Sequence, residues 1–210
     1  MFENRIDAGK RLAGCLADRS LVADVVVAIP RGGLPVGRVV ADRLDLPLDV
    51  VAARPIDVPG TVDLALGAVA GDGTCWLDHS LIDDLGIDRE VVEHRVDREQ
   101  ETAAETVVQY RGDRPPLDLH GKTVLLVDDG VATRATTLTC LRRVRNAGAE
   151  RIVLALPVAP PEAVERLRAH ADEVLTVETP RSFSSVGRFY GSFGHVSDEQ
   201  ARACLAADER

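Results

Sequence analysis

Short apolar runs alternate along the chain with stretches in which apolar residues return every three or four positions. The runs suit strands buried on both faces of a parallel sheet, and the second pattern suits helices laid over that sheet. "DVVVAIP" (24–30), "LPLDVVAAR" (46–54), "GKTVLLVDD" (121–129), "ERIVLALPV" (150–158) and "DEVLTVET" (172–179) are the expected strands. Between them, "RGGLPVGRVVADRL" (31–44), "TTLTCLRRVRNAG" (136–148) and "PPEAVERLRAH" (160–170) read as helices. "NRIDAGKRLAGCLADR" (4–19) reads as an amphipathic helix with Ile6, Leu12 and Leu16 on its buried face. Such alternation predicts an α/β fold with a mostly parallel five-stranded sheet flanked by helices.

The middle of the chain departs from this rhythm. Residues 55–78 are rich in glycine and turn formers, and "LALGAVAGDGTCWLD" reads as two short strands around the "GDG" turn, a flexible β-hairpin loop. "DREVVEHRVDREQETAAETVVQYR" (88–111) reads as one long helix whose charges form a solvated face with i,i+4 pairs. No repeat or low-complexity segment interrupts residues 1–210, which are read as one domain.

At 210 residues and 45% hydrophobic, the chain can bury a full core. Its longest apolar runs fall well short of the ~20 residues that span a bilayer, and "MFENRIDAGKRL" lacks an apolar signal region. A cytoplasmic protein with no membrane partner is expected. Cys15, Cys75, Cys140 and Cys204 show no C-x-x-C spacing, so buried thiols are expected rather than disulfides or a zinc site. A net charge of −9 makes nucleic acid an unfavourable partner, because such binding draws on basic patches. Lys10 and Lys122 are the only lysines among 25 basic residues, a bias that suits a high-GC or salt-adapted genome.

Chemistry concentrates in "VLLVDDGVATRATT" (124–137). Asp128 and Asp129 end an expected strand, and in open parallel sheets ligands sit beyond those ends. A loop of small residues then leads into a helix N-terminus, where free N–H groups and the helix dipole favour a phosphate. Two carboxylates beside a phosphate repel it unless they face hydroxyls or a metal. A sugar phosphate satisfies both, with ribose hydroxyls on the aspartates and Thr133 and Thr136 adding donors at the phosphate. A plain helix cap would account for one acidic residue but not for the pair.

This stretch resembles the phosphoribosyl diphosphate (PRPP) motif of type I phosphoribosyltransferases. The likeness continues through "FENRIDAGKRLA", "AIPRGGLPVG", "LALGAVAGDG", "YRGDRPPLDLHGKTV", "LPVAPPEAVERL" and "FYGSFGHVSDEQ". Together these are similar to a subfamily whose acceptor is generally unassigned. The resemblance implies a Rossmann-like sheet with a small hood, here residues 180–197, over the strand ends. It implies a pentosyltransferase that displaces pyrophosphate from PRPP with a nitrogen nucleophile, with Mg²⁺ as cofactor. Asp128 and Asp129 would be catalytic, binding the ribose hydroxyls and meeting Mg²⁺ directly or indirectly. Gly130, Val131, Ala132, Thr133, Arg134, Ala135 and Thr136 would form the 5-phosphate loop. Arg31, Gly32 and Gly33 would form the pyrophosphate loop, with a cis peptide expected at Arg31–Gly32. Arg54 would be the cation of a flexible loop that closes over the site. Phe183, Tyr190 and His195 are candidates for an acceptor pocket, although such an aromatic cluster also reads as satellite core. His79, His94, His120 and His170 are expected at the surface.

Three positions depart from the family pattern. Arg134 stands where the family has glycine; its guanidinium can grip a phosphate or fill the pocket. Pro55 replaces a lysine and stiffens the start of the flexible loop. Ala132 takes the place of the acid that 6-oxopurine enzymes use as a proton acceptor, which disfavours those bases. Beside the enzyme stands a second reading, a non-catalytic PRPP- or nucleotide-binding sensor. A phosphorylation receiver is excluded because no lysine follows Lys122, and a dinucleotide site because no G-x-G-x-x-G follows a strand. Homo-oligomerisation is left open.

Overall fold

Five parallel strands in the order β2–β1–β6–β7–β8 form the central sheet of the computed structural model, which describes residues 1–19, 21–61, 64–131 and 135–206. They are β1 (Val25–Ala28), β2 (Leu48–Val50), β6 (Thr123–Val127), β7 (Arg151–Val158) and β8 (Glu173–Glu178), each within an expected strand. Although the runs are mostly apolar, successive side chains still part to opposite faces. Val26, Ala28, Leu125, Val127 and Val153 meet α1 (Arg5–Asp18), α2 (Gly33–Leu44) and α7 (Asp198–Ala206), whose Leu12, Leu16, Leu34, Val40 and Leu205 are buried there. Val25, Val27, Val124, Leu126, Ile152 and Leu154 face α5 (Ala135–Asn146) and α6 (Pro161–Leu167) through Leu138, Leu141, Val144, Val164 and Leu167. Both faces are thus covered, as a parallel sheet requires.

Ile6 does not join Leu12 and Leu16 in the core; it is 45% exposed. Six residues of helix place it roughly 120° round the axis from Leu12, outside the buried stripe.

A second, antiparallel sheet holds β3 (Ala53–Asp57), β4 (Ala65–Ala70) and β5 (Cys75–Leu77). The expected hairpin is β4–β5, and β3 adds a third strand by turning away from β2 after Val51 and Ala52. Pro55 therefore lies inside an edge strand, paired with Ala68, where a missing N–H is tolerated. Ile56, Val58, Leu66 and Val69 form a separate core with Ile82 of α3 (His79–Asp84) and Val92 of α4 (Arg89–Arg111).

The charged helix α4 is more than a solvated face. Arg111 donates through Nε and Nη2 to the two oxygens of Asp49, at 3.0 and 3.1 Å, and Asp49 is 7% exposed. The backbone N–H groups of Val50 and Leu117 also donate to this carboxylate. Among the described residues, no helix is long and apolar enough to cross a membrane.

Candidate active site

After β1 the chain crosses to one side of the sheet to form β2, and after β6 it crosses to the other side to form β7 and β8. The loops leaving β1 and β6 thus diverge, which opens a crevice at this switch of direction. Pro30–Gly33 leaves β1 there, and Asp128–Gly130 leaves β6. The two sequence-predicted motifs meet in space. A Cβ built on Gly32 would fall 1.9 Å from Asp129 Oδ2, and one on Gly33 would fall 2.9 Å from Asp128 Cα and 3.1 Å from its Oδ1. The carboxylates lie directly against the glycines, and a side chain at either position would displace them.

The cis peptide of this loop is Pro30–Arg31, one bond before the expected Arg31–Gly32. The Arg31 side chain turns outward to Asp198 at 3.4 Å, and that carboxylate also accepts the Tyr110 hydroxyl at 2.7 Å. Arg54, on β3, pairs with Glu99 of α4 at 3.3 Å. Neither cation reaches the acidic pair in this arrangement.

Asp128 Oδ1 accepts the backbone N–H of Asp129 at 2.8 Å. Asp129 Oδ2 is held by Nε of Arg5, at the start of α1, at 2.7 Å. One carboxylate expected to face substrate is therefore engaged in an internal ion pair through one of its oxygens. Burial raises the Asp128 carboxyl well above the usual carboxylate range, and the neighbouring Asp129 charge adds to it. Burial also raises Asp129, against the opposing pull of Arg5.

Arg5 is the functional candidate that sequence reasoning missed. The signal lay in its position, since a cation in the first helical turn opposes the helix dipole and needs some other partner.

Of the phosphate loop, Ala132, Thr133 and Arg134 lie outside the described residues. Gly130 has φ +152°, Val131 is buried with its N–H donated to Val158 O, and Ala135 and Thr136 begin α5. Of the expected acceptor residues, Phe183 and Tyr190 share a small hydrophobic cluster with Phe2 and Val158, as the satellite-core alternative has it. Tyr190 is buried, packs on Phe2 and Phe193 with centroids 5.3 and 4.9 Å apart, and donates its hydroxyl to the Asp129 carbonyl. Phe183 stacks on Phe189 at 5.4 Å, while His195 is exposed. His79, His94, His120 and His170 are exposed as expected. A cavity of about 330 Å³ opens elsewhere, among Val27, Asp49, Arg111, Leu117 and Val144.

Among the described residues, no group of three or more histidine, cysteine or carboxylate side chains is placed to hold a metal ion. Asp128 and Asp129 offer two carboxylates. That donor set fits a magnesium ion carried mainly by substrate oxygens and water rather than one caged by protein.

Fold and crevice define an open parallel α/β protein with an acidic pair at its switch point. Residues 73–190 match the phosphoribosyl transferase domain model, and the chain belongs to that family. Protein TT1426 from Thermus thermophilus, known from a crystal structure, is 41% identical over 99% of this chain and 98% of its own, with a TM-score of 0.83. Rv0571c of Mycobacterium tuberculosis H37Rv and MT0597 of strain CDC 1551, both with phosphoribosyl transferase in their names, are 38% identical over 208 residues. Those matches take in 98% of this chain but 46% of the relatives, so the chain spans about half their length. A hypothetical protein from Neisseria gonorrhoeae, crystallised with bound ppGpp, shares the fold at 14% identity and a TM-score of 0.53, covering 100% of this chain and 97% of its own.

Proposed function

We propose that the protein transfers the 5-phosphoribosyl group of PRPP to a nitrogen nucleophile, a nucleobase, and releases pyrophosphate. The observation that carries this reading is the contact of the Asp128–Asp129 carboxylates with the Gly32–Gly33 backbone at the mouth of the crevice. A ribose needs acceptors for two adjacent hydroxyls, and its pyrophosphate needs a close approach to backbone; the meeting of the two motifs offers both.

In the reaction, the nitrogen lone pair attacks C1 of the ribose as the bond from C1 to the pyrophosphate oxygen breaks. Pyrophosphate leaves with the bonding pair, and the nitrogen gives up its proton to solvent or a base. Asp128 and Asp129 accept hydrogen bonds from the ribose hydroxyls and offset the positive charge that develops on the ring. Magnesium, when bound with PRPP, neutralises charge on the departing pyrophosphate. The amide groups at the start of α5 suit the 5-phosphate.

The test is calorimetric titration with PRPP and Mg²⁺, followed by an assay of pyrophosphate release against a panel of bases. Asp129→Asn is expected to weaken PRPP binding about 10- to 100-fold, as losing a charged hydrogen-bond acceptor does. A native protein that binds no PRPP overturns the reading. PRPP binding with no release of pyrophosphate for any base assigns the site to a sensor instead.

A further inference from the structure

The two aspartates are held by different partners. Asp128 gives Oδ1 to its neighbour's N–H and Asp129 gives Oδ2 to Arg5, and the two carboxyl groups also meet each other.

Arg5 is itself fixed with care. Its Nη1 donates to Gly194 O at 2.8 Å, its guanidinium carbon lies 3.9 Å from the centroid of the Phe193 ring, and its side chain is 13% exposed. The segment that receives it is laced to the start of the chain. Phe2 N–H donates to Phe189 O, Gly191 N–H to Phe2 O and Ser192 N–H to Glu3 O, all within 2.7–2.8 Å. Phe2 is fully buried against Tyr190 and Val158, and the Tyr190 hydroxyl reaches the Asp129 carbonyl. Residues 2–5 and 189–194 therefore converge on Asp129 as one unit.

Arginine–carboxylate pairs are frequently bidentate, with the planar fork on both oxygens. Arg5 uses Nε on Oδ2 alone and spends Nη1 on the Gly194 carbonyl.

We propose that Arg5 is a positioning residue for phosphoribosyl transfer: by holding only Oδ2, it seats the Asp129 carboxylate against Gly32 and presents Oδ1 to the ribose hydroxyls. The inference rests on the phosphoribosyl reading above. Arg5 Nε lies 2.7 Å from Oδ2 and both side chains are 13% exposed, so the clamp is sheltered from solvent.

A double-mutant cycle tests it, with PRPP and Mg²⁺ as the probe and calorimetry as the readout on native protein, Arg5→Met, Arg5→Lys, Asp129→Asn and Arg5→Met/Asp129→Asn. Arg5→Met is expected to weaken binding about tenfold or more, and Arg5→Lys to recover part of that loss. In the Asp129→Asn background Arg5→Met is expected to cost nothing further, because Arg5 acts through Asp129. The same fold-loss in both backgrounds overturns the proposal, since Arg5 would then act by another route. Unchanged or tighter binding by Arg5→Met also overturns it, the latter marking the guanidinium as a competitor. Thermal melting confirms that each variant is folded, and Arg5→Gln takes the place of Arg5→Met in the cycle if the latter is not. A native protein that binds no PRPP removes the functional reading itself. That failure shows before any variant is made, so the two outcomes are told apart.

Discussion

Gly32 and Asp129 share one space: a Cβ on the glycine would fall 1.9 Å from the carboxylate oxygen that Arg5 holds. Gly32 has φ −64°, a conformation open to any residue, so proximity alone requires glycine there. The loop after β1 and the acidic pair after β6 are consequently one site, and neither can be altered in isolation.

Gly32→Ala tests that relation. The added methyl must push Asp129 off Arg5 or lift the loop, at a cost of about 1–3 kcal/mol in stability. PRPP affinity is expected to fall at least as far as in Asp129→Asn. Calorimetry and urea denaturation read the two effects, and a Gly32→Ala protein with native affinity would show that the contact has no bearing on binding.

Asp128→Asn bears on pH. A carboxyl whose folded-state pKa is raised holds its proton more tightly in the folded protein. Its stabilising contribution is complete below the unfolded value, about pH 4, and is lost as pH rises toward the folded value. The amide escapes this loss and can still accept the Asp129 N–H. Asp128→Asn is therefore expected to melt above the native protein at pH 7, with the gap closing near pH 4, while PRPP binding is impaired. An equal shift in Tm at both pH values would contradict the burial assigned to Asp128.

Arg111→Met isolates the ion pair between α4 and β2. It strips Asp49 of two donors in a site where that carboxylate is nearly sealed from water. The expected cost is about 3–5 kcal/mol by urea denaturation. Asp49→Leu/Arg111→Met is expected to regain much of this, because no charge is then left buried alone. A single variant within about 1 kcal/mol of native would mean that solvent reaches Asp49 freely.

The five strands of the main sheet are readable in the sequence because burial leaves apolar runs in β1, β6 and β7 and apolar-rich stretches around β2 and β8. β3 is hidden for the converse reason. Only Val51 and Ala52 separate it from β2, with no glycine or proline to mark the turn, and its own Arg54, Pro55 and Asp57 look like loop. The motifs "PRGG" and "VDDG" announce the two halves of the site through residue types needed at close quarters. They do not say which peptide bond is cis, nor that Arg5 completes the arrangement. That contact joins residues 5, 129 and 194, and no local pattern relates positions so far apart. Arg111 was equally concealed, because the docking of α4 selects which of its many charges meets a buried acid.

Strand pairing also bears on how the chain folds. β7 pairs with β6, β8 with β7 and β2 with β1 across loops of about 20–30 residues, whereas β1 reaches β6 only across about a hundred, from Val25 to Val124. Closing that longer span costs about 1 kcal/mol more entropy, and pairings distant in sequence form slowly. The seam between β1 and β6 carries the glycine loop and the acidic pair at its upper end, so these two parts of the candidate site meet only when the two halves of the sheet have zipped together.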